Sequence, residues 1–414
     1  MTDQPWWRLV FSRRMMLCVL TGFASGLPLF FLFQLVPGWL RDQQVDLGTI
    51  GLFALVQFPY TWKFLWSPLM DRFELPLLGL RRGWMLLTQL GLLLALGSFA
   101  FISPQNGLSM VIVAAVLVAV FSASQDIVID AFRREILSDQ ELGLGNAVHI
   151  NAYRLAGLVP GSLSLILADH LPWSTVFLIT AVFMGVGLLL TAIAPEPAHE
   201  RHPMSLEQAV VEPFKDFFSR HGVQHAVAVL VFMVLYKLGD NMAVALQTPF
   251  YMDMGYSKSE IGLVAKHAAL WPVLVGSLIG GLVMLKVGIN RSLWLFGVVQ
   301  CASIFGYALL ASLNPEARNL WWLAGVVGAE YLGVGLGAAA LTAYIAREAS
   351  RTYLATQLAL LTALTAVPRV IANAATGYMV ESMGWVHFFM LCALVAIPGL
   401  LMLPKVAPWA RRQD

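Results

Sequence analysis

Apolar runs of about twenty residues, the length that carries a helix across the hydrocarbon core of a bilayer, recur along the chain with short polar turns between them. Six lie near 15–37, 48–69, 84–102, 107–131, 146–168 and 174–194, and six more near 223–250, 259–285, 292–312, 319–346, 353–378 and 385–404. The pattern predicts an all-α membrane protein of about twelve transmembrane helices in two six-helix bundles. Between the two sets, 195–222 is the most polar stretch and carries Pro195, Pro197 and Pro203. The expected division is therefore a first bundle over 1–194, a linker over 195–222 and a second bundle over 223–414. Short matched patterns point to an internal repeat. Asp46-Leu47-Gly48-Thr49-Ile50-Gly51-Leu52 opens the second run as Ser257-Lys258-Ser259-Glu260-Ile261-Gly262-Leu263 opens the eighth. Arg154 and Trp173 flank the end of the fifth run much as Arg369 and Trp385 flank that of the eleventh.

Loop cations set the expected orientation. With the N-terminus inside, the outer loops hold only Arg41, Lys258 and Arg318, while all other loop Lys and Arg face the cytoplasm. An even number of spans then puts both termini and the 195–222 linker on the cytoplasmic side. The first run follows Arg8, Arg13 and Arg14 but is too long for a signal peptide and lacks a small-residue cleavage site, so it reads as an uncleaved span.

Composition agrees. The chain is 58% hydrophobic and 12% charged, against roughly 45–50% and about 25% in soluble domains. A net charge of +2 with scattered bases gives no footprint for nucleic acid. Cys18, Cys301 and Cys392 are too widely spaced for a metal site and read as buried small hydrophobes. There is no phosphate loop, no His-Glu-x-x-His and no Gly-x-Ser-x-Gly, so neither an enzyme nor a bound cofactor is expected, and an intramembrane enzyme or a sensor is the remote alternative to a transporter.

The informative residues are charges inside the apolar runs, namely Lys63, Arg154, Lys237, Lys266, Arg369, Asp126, Asp130, Asp240 and Glu330. Each costs about 2.5–3.5 kcal/mol or more at a helix centre facing lipid, so such groups face a bundle interior or a watery path and are paired. Each is a candidate for a substrate or proton pathway, with a structural ion pair as the competing reading. Asp126 and Asp130 share a helix face four residues apart, with Gln125 beside them and Arg154 expected within reach; Asp130, nearer the cytoplasmic end, reads as a gate residue. Lys237 and Asp240 stand three apart and can satisfy each other across Gly239. An isolated Glu330 is a candidate proton carrier. Gly276, Gly280, Gly281 and the Gly333–Gly337 stretch read as helix-packing surfaces.

Several of these motifs resemble a known family. Gly22-Phe23-Ala24-Ser25-Gly26-Leu27-Pro28, Lys63-Phe64-Leu65-Trp66-Ser67-Pro68-Leu69-Met70-Asp71-Arg72, Arg81-Arg82-Gly83-Trp84, Ser122-Ala123-Ser124-Gln125-Asp126, Tyr153-Arg154-Leu155 and Tyr236-Lys237-Leu238-Gly239-Asp240 are similar to the AmpG-like permeases of the major facilitator superfamily. The resemblance implies the major facilitator fold in a bacterial inner membrane and a monomer that imports a small anionic cargo on the proton gradient. It implies that Asp71 and Arg72 brace a cytoplasmic gate. The length and basic ending resemble a short branch, the siderophore permeases FptX and RhtX, which makes a ferric siderophore the first expected cargo and an anhydro-muropeptide the alternative.

Overall fold

In lipid every backbone N–H and C=O must be bonded inside the protein, which leaves helices or closed barrels, and apolar runs of about twenty residues are the length of helices. The computed structural model describes residues 11–75, 78–138, 141–197, 212–348 and 354–409. The middle of the expected linker and the Asp71 side chain lie outside the described residues. Helix α1 spans Arg13–Asp42, capped by Ser12, whose hydroxyl accepts the Met15 N–H at 3.3 Å. The second run, α2 (47–72), is interrupted. Its helical pieces Leu47–Leu52, Phe58–Trp62 and Ser67–Arg72 are joined by tight turns at Phe53–Gln57 and Lys63–Leu65. Pro59 and Pro68 fall in the first turns of the second and third pieces, where a missing N–H is tolerated while it breaks continuity with the preceding turn.

The remaining helices are α3 (Leu80–Phe101), α4 (Leu108–Ile136), α5 (Leu142–Leu167), α6 (Trp173–Ile193), α7 (Val223–Ala245), α8 (Lys258–Val287), α9 (Ile289–Ser312) and α10 (Leu320–Glu348). The last run, Leu354–Val406, turns at Gly384, where φ is 77°, a conformation that only glycine adopts without strain. It is thus two helices, α11 (354–383) and α12 (385–406). Ten helices among the described residues are long and apolar enough to cross a membrane. The last of the ten comprises two spans and α2 is too broken to be counted, so each of the twelve expected runs has its helix.

The chain forms two compact units, Met1–Val45 with Val56–Glu200 and Ser257–Leu263, and Asp46–Leu55 with Arg201–Tyr256 and Val264–Asp414. The matched sequence patterns occupy matched structural roles. Asp46 caps α2 by accepting the Thr49 N–H at 2.7 Å, and Ser257 caps α8 in a reciprocal box with Glu260. A methyl group on Gly262 would meet the backbone of Ser162 on α5, and one on Gly51 the backbone of Gly377 on α11. The Trp173 indole donates to Asp42 at 2.7 Å in the first unit, as Trp385 donates to Asp253 at 3.0 Å in the second. Caps, close approaches and anchoring indoles are what the repeat has kept.

Small residues bring the helices together. A Cβ on Gly22 or Gly26 would meet the His149 or Tyr153 carbonyl, so α1 and α5 touch backbone to backbone. Gly276 and Gly335 do the same for α8 and α10. Gly281, expected on this surface, instead faces open space.

Between α4 and α5, Glu141 accepts from Arg14 at 2.7 Å, the Ser138 N–H at 3.0 Å and the Ser138 hydroxyl at 2.8 Å. Partial burial alone would raise its pKa, but the two Ser138 bonds and the Arg14 charge outweigh it, and the carboxyl is held below its ordinary value. A lowered folded-state pKa stabilises the fold above the unfolded value, about 4.3, and that stability is lost as pH falls through the folded value. Glu141→Gln is expected to destabilise the purified protein by about 1–2 kcal/mol at neutral pH. In thermal melts its gap from the native chain should close as pH drops below about 4; a gap that persists in acid would show that the carboxylate charge is not its contribution.

Candidate functional site

In the first unit, the tight turn that interrupts α2 carries Lys63 to α4, with Nζ 3.9 Å from Asp126 Oδ2. The Ser25 hydroxyl on α1 serves the same carboxyl, and the Trp66 indole ties α2 to α4 through Ser124 at 3.0 Å. Gln125 is fully buried, donates to the Ala24 carbonyl at 2.9 Å and leaves its own Oε1 without a donor. Asp130 is exposed and pairs with Arg133 at 3.0 Å on its own helix, while Arg133 also holds Asn146 at 3.0 Å. The two aspartates that share a face thus have different partners. Arg154 is half-buried on α5 and makes no hydrogen bond or ion pair among the described residues. The expectation that it reaches Asp126 or Asp130 is not met, since those carboxylates turn to Lys63 and Arg133.

At one end of this unit Arg72 is exposed. Arg81, which the sequence places in a loop, is buried and grips Glu135 of α4 with Nη2 at 2.7 Å and Nε at 3.1 Å. Glu196 accepts the backbone N–H groups of Arg81 and Arg82 at 2.8 and 3.0 Å, stabilising the first turn of α3. A carboxylate more than a hundred residues away gave no local signal of this cap.

The second unit is more deeply buried. Lys237 donates to Asp240 Oδ2 at 2.8 Å along α7. Gly239 between them lies against the Cys392 carbonyl of α12, so no larger residue fits. Glu330 on α10 has no exposed surface and lies 2.6 Å from the Ser303 hydroxyl of α9. The Asp240 carboxyl is within hydrogen-bonding reach of Glu330, although the two lie ninety residues apart in sequence. Lys266 is buried on α8 just after the wide turn Ile261–Ala265 and donates to the Thr248 hydroxyl at 2.9 Å, with no carboxylate facing it among the described residues. Such widened turns often mark functional positions. Arg369 is half-buried on α11. His149 is a packed residue bonded to Thr21 at 3.1 Å.

Among the described residues, the pairs Lys63–Asp126 and Lys237–Asp240 lie within apolar helices, as do Arg154 and Lys266, which face no carboxylate there. Each pair is neutral, whereas Arg154 and Lys266 are uncompensated and favour an anion.

The family model of the Major Facilitator Superfamily matches residues 18–335. The chain is 49% identical over 406 residues to an uncharacterized protein of Haemophilus influenzae, which spans 96% of each chain. It is 40% identical over 399 residues to the anhydromuropeptide permease of Escherichia coli K12, across 96% of this chain and 80% of the relative. The chain is an AmpG-like permease of the major facilitator superfamily. A solved POT-family transporter, in complex with 5-aminolevulinic acid, has the same fold, with a TM-score of 0.72 at 12% identity over 96% of this chain and 97% of its own. The AmpG-like permease described here is thus a multi-pass membrane transporter rather than an enzyme.

The ion pair on α7 yields a direct check. Lys237→Met leaves Asp240 buried beside Glu330 without its cation, a defect worth about 3–5 kcal/mol. The double variant Lys237→Met with Asp240→Asn should recover most of the lost thermal stability. Equal destabilisation in the single and double variants would show that the two charges are not coupled.

Proposed function

We propose that this permease imports anhydro-muropeptides from the periplasm into the cytoplasm of a bacterium, driven by the inward proton gradient and acting as a single chain. The observation that carries the reading is the 40% identity to the Escherichia coli anhydromuropeptide permease over nearly the whole chain. The charge inventory agrees with it, because among the described residues each unit offers a basic side chain with no carboxylate partner, the half-buried Arg154 in the first and the buried Lys266 in the second. Peptide carboxylates are the ligands such cations suit. Ferric siderophore import rests only on overall length and a basic ending, and neither touches these cations. The distribution of Lys and Arg supports both termini in the cytoplasm. On that orientation Asp71, Arg72 and Asp130 belong to a gate, and Lys63, Gln125, Asp126, Lys237, Asp240, Glu330 and Arg369 to the pathway for cargo and protons.

Proton drive follows from the electrical cost. An inside-negative membrane opposes each entering negative charge by about 2.3 kcal/mol per 100 mV, and a co-transported proton cancels that term for one charge. Calorimetry on the purified permease tests the cargo. An anhydro-muropeptide should bind, Arg154→Ala should weaken that binding about tenfold or more, equivalent to ~1.4 kcal/mol, and a ferric siderophore should give no heat. Preferential binding of the siderophore would overturn the reading.

A further inference from the structure

The buried polar network on α7, α9 and α10 is short of hydrogen atoms. Asp240 Oδ2 accepts from Lys237, but Oδ1 is sealed from solvent and has no donor. Glu330 Oε2 lies 2.6 Å from the Ser303 hydroxyl, while Oε1 is likewise sealed and without a donor. The Ser303 hydroxyl also lies 2.9 Å from the Gln300 carbonyl, so its one hydrogen has two acceptors to serve. The two carboxyl groups are close enough to hydrogen-bond to each other, yet two bare carboxylates have nothing to bond with.

We propose that Asp240 and Glu330 hold a single proton between them and are the element that carries it through the transport cycle. One added proton supplies the missing donor, joining the two carboxyl groups in an acid–carboxylate hydrogen bond. It also balances the charge, since Lys237, one carboxylate and one carboxylic acid sum to zero. Both carboxylates ionised would leave a net negative charge on groups that are 5% and 0% exposed, which a membrane interior does not tolerate unaided. The proton enters from the periplasmic side, rests on the pair, and leaves to cytoplasmic water once the site is hydrated from that side.

Lys237 is the cation that faces the pair. Among the described residues, the other ionisable side chains around it are the phenols of Tyr236, Tyr251, Tyr307 and Tyr331 and the thiols of Cys301 and Cys392, groups whose ordinary pKa values lie above physiological pH. Proton exchange there thus falls to the two carboxyls. Asp126 lies in the first unit, partly exposed and 3.9 Å from Lys63, and is no part of this network.

This inference rests on the reading of the chain as a proton-driven permease, and infrared spectroscopy separates the two because it needs no cargo. The purified protein at neutral pH should show a protonated-carboxyl stretch that both Glu330→Gln and Asp240→Asn shift or remove, the signature of a shared proton. A band untouched by either variant, or a separate band lost with each, overturns the proposal even if muropeptide transport is intact. The shared band in a chain that carries no muropeptide would keep the proposal and sink the cargo. In proteoliposomes, Glu330→Gln should retain cargo counterflow and lose gradient-driven accumulation, and Glu330→Asp should restore it. Full accumulation in Glu330→Gln would equally overturn the assignment.

Discussion

A charge that faces lipid costs several kilocalories per mole, and this constraint orders the interior of both units. Lys63 answers Asp126, Lys237 answers Asp240, and Arg81 answers Glu135. Such pairs are neutral and held by geometry. Among the groups that this pairing leaves over in the described residues, four have chemical meaning: the basic side chains of Arg154 and Lys266, and one carboxyl oxygen each of Asp240 and Glu330. Lys266, Asp240 and Glu330 are buried, whereas Arg154 is only half-buried. Gly239 against Cys392 lets α7 lie close to α12 beside the Lys237–Asp240 pair.

Much of the fold was legible because membrane helices announce themselves by length and apolarity. The repeat was legible for a more specific reason. Asp46 and Ser257 must cap a helix, and Gly51 and Gly262 must admit a neighbouring backbone, so the two heptads kept recognisable residues. The interruption of α2 was hidden inside a continuous apolar run. Pro59 and Pro68 were its available signal, since each marks a helix start rather than a helix middle.

The site was legible as a set of residues and illegible as a set of pairs. A charge within an apolar run stands out in one dimension, but its partner depends on how helices turn. Lys63 reaches Asp126 through a tight turn that periodicity does not reveal, and this is why Arg154 was expected there and is absent. Lys237 and Asp240 were readable together because three residues on one helix share a face. Asp240 and Glu330 were read singly, and only packing brings them together. Ser303 gave no signal at all, being one small polar residue in a helix. The first expectation of a siderophore leaned on chain length, a quantity that says nothing about which charges stay uncompensated.

The central claim is that an anionic cargo and a proton enter together. The most direct measurement is the internal pH of proteoliposomes, reported by a trapped dye, when cargo is added outside with no imposed gradient. An anhydro-muropeptide should acidify the lumen in fixed proportion to the cargo taken up, and a protonophore should abolish the signal while uptake to equilibrium continues. Cargo entry with no movement of protons would contradict the account.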